Sequence, residues 1–342
     1  FSLQAGWKLF SEDASCAFLQ SKGIKRLLLL RMPGVHPPSG VLLNEVRVAL
    51  GSIYGTRDAP RAWYQFLLSV LESESFIELQ VEKSIYVRYS LGAVQILLLS
   101  HVDDLLYTHR ADDEDALRCM QRLAVKLQLK PVETGSFCYC GKQIQEFPDR
   151  TVVSQPRAIA ALQLLDFGSP VCRRRDPQEA LTPGEISGYR GGIGQLNWLV
   201  TQTCPLLACS VSLLAQKTEH ATVADVSKLN SVVKRAQTQS PPMQLVFRRC
   251  FKRIQDLVTL SFGDSAFANA VGCKSQCGNA IALTAFPEAF LNGRYDLGLP
   301  LFWHSGVIKR VVRSTLAAEA YGVSEALETG MLVGSILSEL VS

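Results

Sequence analysis

No apolar run in this sequence approaches the ~20 residues that a bilayer span requires; the runs at 27–30 and 96–99 are far too short. A membrane-spanning segment is therefore not expected, nor is a secretory leader. The 10 cysteines lack paired ligand spacing. Cys138 with Cys140 and Cys273 with Cys277 come nearest, and neither fits a zinc finger. Reduced thiols in a cytoplasmic or nuclear setting are expected instead. Charge is sparse, with 19% charged residues and a net +4, an excess that permits contact with a polyanion without demanding it. Gly191, Gly192 and Gly194 are spaced wrongly for a dinucleotide loop and follow no strand, so close helix packing near the start of a helix is the better reading. The first residue is Phe, not Met, and the chain is expected to be an excerpt of something longer.

What is present is apolar: 47% of the 342 residues are hydrophobic, enough for real cores in about two domains. Inside one such stretch, LLLSHVDDLLYTH, stand Asp103 and Asp104, with no Lys or Arg between Ile96 and His109. An ionised carboxylate in apolar surroundings is costly unless a cation or hydrogen bonds compensate it. Both flanking runs are strand-length, which places the pair at a hairpin tip, where two aspartates suit a hard divalent cation. Ordinary turn aspartates are the competing reading. The blocks Arg173 to Arg175 and Arg248, Arg249, Lys252 and Arg253 read as solvated faces unless nucleic acid is the partner.

Along the chain, WKLFSEDASCAFL passes from a strand pattern into Asp13, a candidate third carboxylate. Pro37 and Pro38 interrupt regular structure. A helix-like stretch follows from Asn44, and a second helix opens near Pro60. Strands are expected at 84–90 and 94–102, a helix over 112–128 with an acidic start, strand pieces at 137–145 and 151–153, and mostly helix over 154–238 broken at 171–184. After Pro241 and Pro242 the order is strand, strand, strand, helix. The first of these strands carries Asp264 and the helix, starting near Ser314, carries Glu319. Acids so placed can converge on a divalent cation, although each alone is more often structural.

The segments DASCAFLQ (13–20), IYGTRDAPRAWYQFL (53–67), HVDD (101–104), ETGSFCYCGKQI (133–144), SQPRAIAALQLLDF (154–167), YRGGIGQLNWLVTQTCPLLACSVSLLAQ (189–216), FGDSAFAN (262–269), CKSQCGNAIAL (273–283) and WHSGVIKRVVRSTLAAEAYGVSEAL (303–327) occur in this order. Together they resemble the reverse transcriptase and ribonuclease H region of a copia-type retrotransposon Pol polyprotein, essentially from end to end. The resemblance implies an α+β fold: a reverse-transcriptase palm over 1–168 without its fingers, a helical thumb or connection over 169–242, and a truncated ribonuclease H-like α/β domain over 243–342.

It further implies RNA-directed DNA synthesis with two Mg²⁺ ions, or Mn²⁺, held by Asp13 and Asp103 with Asp104 in support. Phe18 would crowd the sugar 2′-position, Gly55 and Pro60 would lie against nucleotide and template, and Arg57 and Arg61 would face phosphate. Asp264 and Glu319 would be the first two of four ribonuclease H acids, leaving that site incomplete as written. The implied partners are an RNA template, a DNA primer, the RNA/DNA hybrid and deoxynucleoside triphosphates, with no membrane and the oligomeric state open. Three positions depart from the family pattern: His101 stands where Tyr is usual, Thr56 where Leu is, and Asp58 where Gln is. The alternative is a catalytically inactive remnant that retains nucleic-acid binding. A third reading, an unrelated protein with turn aspartates, requires Asp13, Asp103 and Asp104 to lie far apart. No retroviral-type aspartic protease or integrase zinc motif is present.

Overall fold

A computed structural model describes residues 2–21, 26–31, 46–166, 175–249 and 253–341, and these mix helices and strands throughout, an α+β architecture. Pro37, Pro38, Asn44, Arg173, Arg174 and Lys252 lie outside the described residues. The chain divides into two compact units, chiefly 6–135 with 339–342, and 136–338 with 3–5. Among the described residues no helix is long and apolar enough to cross a membrane.

The 6–135 unit follows α1 (Ser2–Ala5) and begins with β1 (Lys8–Asp13) and α2 (Ala17–Gln20). Then come β2 (Leu29–Arg31), β3 (Val46–Val48), α3 (Ala59–Glu72), β4 (Phe76–Glu78), β5 (Ile85–Ser90), β6 (Ala93–His101), β7 (Asp104–His109), α4 (Glu114–Lys126) and β8 (Glu133–Thr134). Six strands form one antiparallel sheet in the order β4-β5-β6-β7-β1-β8. Helix α3 forms because Ala59, Trp63, Leu67 and Leu71 recur every fourth residue, all buried, and Pro60 occupies the first turn, where its missing N–H costs nothing. Fully burying Leu67 and Leu71 contributes about 1.5–3 kcal/mol each. Helix α4 starts where the Asp113 side chain accepts from the Ala116 amide at 2.9 Å, and Glu114, Asp115 and Lys126 complement its dipole. Both helices cover one sheet face, where Trp63, Leu67, Leu71, Cys119 and Leu123 meet Tyr86, Ile96, Leu98, Leu105 and Tyr107.

Val46–Val48, assigned to a helix-like stretch, is a strand paired with Leu29–Arg31. Two β-branched valines flanking an arginine favour the pleated backbone over helix.

The 136–338 unit opens with β9 (Ser136–Tyr139), β10 (Lys142–Glu146) and β11 (Arg150–Ser154), which join β12 (Leu245–Arg248) in a sheet ordered β12-β11-β10-β9. Between β11 and β12 run α5 (Pro156–Ala160), α6 (Pro183–Gln202), α7 (Ala208–Ala215) and α8 (Val223–Thr238). Capping boxes at Thr182 with Glu185 and at Thr222 with Asp225 set the starts of α6 and α8. Gly191, Gly192 and Gly194 therefore sit inside α6 rather than at its start. Only Gly192 serves close packing: a β-carbon there would stand 3.3 Å from Leu229, whereas at Gly191 and Gly194 it would meet open space. Next come β13 (Val258–Ala266), β14 (Gln276–Thr284), α9 (Pro287–Leu291), β15 (Leu299–Val307) and α10 (Thr315–Val341). The three strands form an antiparallel sheet in sequence order. Helix α10 lies so close to β13 that a β-carbon on Gly263 would come within 2.4 Å of the Gly322 carbonyl oxygen.

Glu74 ties α3 to α4 from a buried position, accepting at 2.7 Å from both Arg122 and Lys126. Those two cations, Arg122 foremost, hold its carboxyl at about 2. A carboxyl depressed in the folded state stabilises above its unfolded value and loses that contribution as pH falls through its folded one. Chemical denaturation of wild type and Glu74→Gln should therefore show the variant weaker by ~2 kcal/mol at neutral pH. The gap should close between about 4.5 and about 2. Equal stability at neutral pH would show the triad contributes nothing.

Candidate active site

Antiparallel pairing of β1 with β7 puts Asp13 directly opposite Asp104, and β6 with β7 puts His101 opposite Asp104. Residues directly opposite share a face, their β-carbons ~4.5–5.5 Å apart. That face is not the one α3 and α4 cover: Phe10, Glu12, Leu105 and Tyr107 alternate inward, whereas Asp13 and Asp104 point the other way. Asp103 lies in the two-residue turn between β6 and β7, and its carbonyl accepts from the Ala14 amide at 2.8 Å. The structure therefore gathers Asp13, Asp103 and Asp104 at one end of one sheet. All three are half-buried, not enclosed in apolar surroundings as the sequence pattern implies.

The turn is strained and clamped. Val102 has a φ of 59°, a left-handed conformation that a β-branched residue rarely adopts. Its carbonyl accepts from the indole Nε1 of Trp63 at 2.6 Å, so α3 grips the hairpin directly. Two like charges facing each other across a ladder are destabilising. The compensating cation is Lys130, whose Nζ lies 2.8 Å from Asp13 Oδ1. Its bond to Asp13 raises the ammonium's pKa, with Asp103 and Asp104 adding to the effect. No signal local to the sequence points to Lys130, because a tertiary backbone bond, from its amide to the Asp13 carbonyl, brings it there.

Phe18 on α2 stacks at 4.9 Å, tilted, on Tyr54, and burial together with Cys16, Asp103 and Asp13 pushes the Tyr54 phenol up. These two rings therefore border the carboxylates. Tyr54, like Trp63 and Lys130, is missed by the sequence reading, although it lies within a quoted motif. Gly55, at φ 84°, and Arg57, Pro60 and Arg61 line an exposed surface at the start of α3. Asp58, beside them, does not present a bare charge: Arg26 donates to both its oxygens at 3.1 and 2.9 Å.

Asp264 and Glu319 come from packed elements, β13 and α10. Ser261, Gly263 and Ser265 of β13 face α10, as their approaches to Gly330 and Gly322 show, so Glu319 belongs to that side. Asp264 alternates to the other side and lines a cavity of about 610 Å³ with Cys209, Phe262, Trp303 and Ser305. Among the described residues, no three His, Cys, Asp or Glu side chains cluster closely enough to hold a metal ion by themselves.

Behind the site, Glu12 faces inward. It is 9% exposed, and its Oε2 has no hydrogen-bond partner. Burial pushes its carboxyl up to about 7, against a smaller opposing effect of the Tyr107 hydroxyl.

Residues 1–162 match the reverse transcriptase (RNA-dependent DNA polymerase) family. Across 99% of its length the chain is similar to two Arabidopsis thaliana proteins, the retrovirus-related Pol polyproteins from transposons RE1 and RE2. It is 24% identical to the first over 362 residues and 25% identical to the second over 363. The chain spans 22% of the length of each.

Ionising Glu12 costs stability as pH rises from about 4.5 to about 7, because its folded value lies above its unfolded one. Glu12→Gln should exceed wild type by ~2 kcal/mol in denaturant titrations above that range and match it below; a gap independent of pH would refute the burial account. Val102→Gly should raise stability by ~1 kcal/mol through relief of the left-handed conformation. A thermal melt showing no gain would mean the turn is unstrained.

Proposed function

We propose that this chain, related to retrotransposon Pol polyproteins and carrying a reverse transcriptase domain over residues 1–162, is the RNA-directed DNA polymerase segment of a copia-type Pol. The observation that carries this reading is the register that sets Asp13 against Asp104, with Asp103 in the adjoining turn.

The donor set fits a hard divalent cation. Mg²⁺ is commonly held by one or two carboxylates plus substrate phosphates, so a site short of three protein ligands suits it once a triphosphate arrives. Asp13 and Asp103 would hold the ions and Asp104 would support them. When bound, the metal supplies charge neutralisation at the attacking and leaving oxygens. The protein's own part is placement. Trp63 fixes the turn that carries Asp103, the β1–β7 ladder fixes Asp13, and Phe18 with Tyr54 forms an aromatic border where a sugar ring would sit. Arg57 and Arg61 offer exposed charge to phosphates, while Asp58 is already neutralised by Arg26. A nucleic-acid template and primer are the corresponding partners.

In this reading residues 1–168 act as palm, 169–242 as thumb or connection, and 243–342 as a ribonuclease H-like domain. Asp264 lies on the face of β13 away from α10, and no hydrolytic step is assigned to the last of these. A second reading, a non-catalytic remnant that binds nucleic acid, draws on Asp58, whose pairing with Arg26 removes one cation from the nucleotide-facing surface.

Primer extension on a poly(rA) template with an oligo(dT) primer and Mg²⁺ separates the two. Wild type should incorporate dTTP, and Asp13→Asn and Asp103→Asn should each lose more than ~100-fold, since even outer-sphere changes at metal sites cost ~10–100-fold. Primer–template binding without incorporation above the Asp103→Asn background would favour the remnant.

A further inference from the structure

We propose that Lys130 is the internal counter-ion of the carboxylate site, a positioning residue that a divalent cation must displace from Asp13 and that thereby sets the site's cation affinity. This rests on the reading of Asp13 as a metal ligand.

The lysine is held in place by its backbone, while its head, paired with Asp13, stays open to solvent. Its amide donates to the Asp13 carbonyl at 2.9 Å, and the Ser15 amide donates to the Gln128 carbonyl at 3.1 Å. Ala14 bridges Leu129, and the Gln20 side chain donates to the Leu127 carbonyl at 2.7 Å. The segment 127–130 is thus stitched to the residues following β1, so the Lys130 α-carbon cannot drift from Asp13. Its side chain, by contrast, is 58% exposed. The ammonium can leave the carboxylate for water without disturbing any packed group.

Electrostatics gives that freedom a consequence. Asp13, Asp103 and Asp104 bring three negative charges to one strand end, and Lys130 returns one positive charge at 2.8 Å from Asp13 Oδ1. A divalent ion approaching Asp13 meets a like charge at the oxygen it seeks. It must either push the ammonium aside or bind next to it, and both lower its affinity. The contact also relieves the Asp13–Asp104 repulsion, so the hairpin can keep its register when no metal is bound. A unit charge about 5 Å from a divalent ion changes its affinity roughly tenfold even in a water-like dielectric.

Mn²⁺ binding to the full chain, measured by calorimetry and by loss of the free-ion paramagnetic resonance signal, tests this without any turnover. Lys130→Met should bind Mn²⁺ roughly tenfold tighter than wild type, and Lys130→Arg, which restores the charge, should return to the wild-type value. A purely structural lysine would give the opposite result, weaker binding in Lys130→Met. Circular dichroism and a second neutral variant, Lys130→Gln, guard against misfolding. Asp13→Asn runs in parallel: if it abolishes binding while Lys130→Met is unchanged or weaker, the counter-ion role is wrong and the metal site stands. If Asp13→Asn binds Mn²⁺ as wild type does, or if no variant binds it either alone or as the Mn²⁺–dTTP complex, the metal reading fails and the inference falls with it.

Discussion

The pairing register of β1 with β7 is the constraint on which everything at the candidate site depends. Side chains alternate along a strand, so a slip of one residue exchanges the two faces. In this ladder such a slip would send Asp13 toward the helices and bring Glu12 out. The burial of Leu105 and Tyr107 beneath α3 and α4 fixes the parity of β7, and the ladder passes it on to β1. Glu12 is the cost of that arrangement, a carboxyl held inward with one oxygen unpartnered, because the residue next to Asp13 has no other face to occupy.

Around the carboxylates, the charge balance is local. Asp13 has Lys130 and Asp58 has Arg26, each drawn from a segment distant in sequence. Surface pairs of this kind add little to stability. Their effect is on the field that an incoming ion or phosphate meets, which depends on net charge within a few ångströms more than on any single bond. The same logic separates the two acidic sites. At the β1–β7 end the carboxylates share a counter-ion, whereas Asp264 lines a cavity on the face of β13 away from α10.

Much of this was legible in the sequence where periodicity spans several turns or strands. The helical periodicity after Pro60 and the apolar runs on either side of Asp103 correspond to α3 and to the β6–β7 hairpin, and the three strands and long helix expected beyond Pro242 are β13, β14, β15 and α10, with the short β12 and α9 not foreseen. Val46–Val48 was not legible, since three residues are too few to show a period and the pairing partner lies in another segment. Nor could the pattern FGDSAF say which face of its strand would meet a helix, because that parity is decided by Gly263 and Gly322 in contact. Lys130 and Trp63 stayed hidden for a related reason: their roles exist only through tertiary bonds to Asp13 and to the Val102 carbonyl.

The indole bond from Trp63 to the hairpin turn has one more consequence. Trp63 stands in the first turns of the same helix whose leading edge carries Pro60 and Arg61, and it grips the peptide between His101 and Asp103. The exposed surface at the start of α3 and the turn that carries a carboxylate are thereby parts of one lever with a single fulcrum. Any tilt of the helix would be felt at the aspartates as a change of angle, without passing through the sheet.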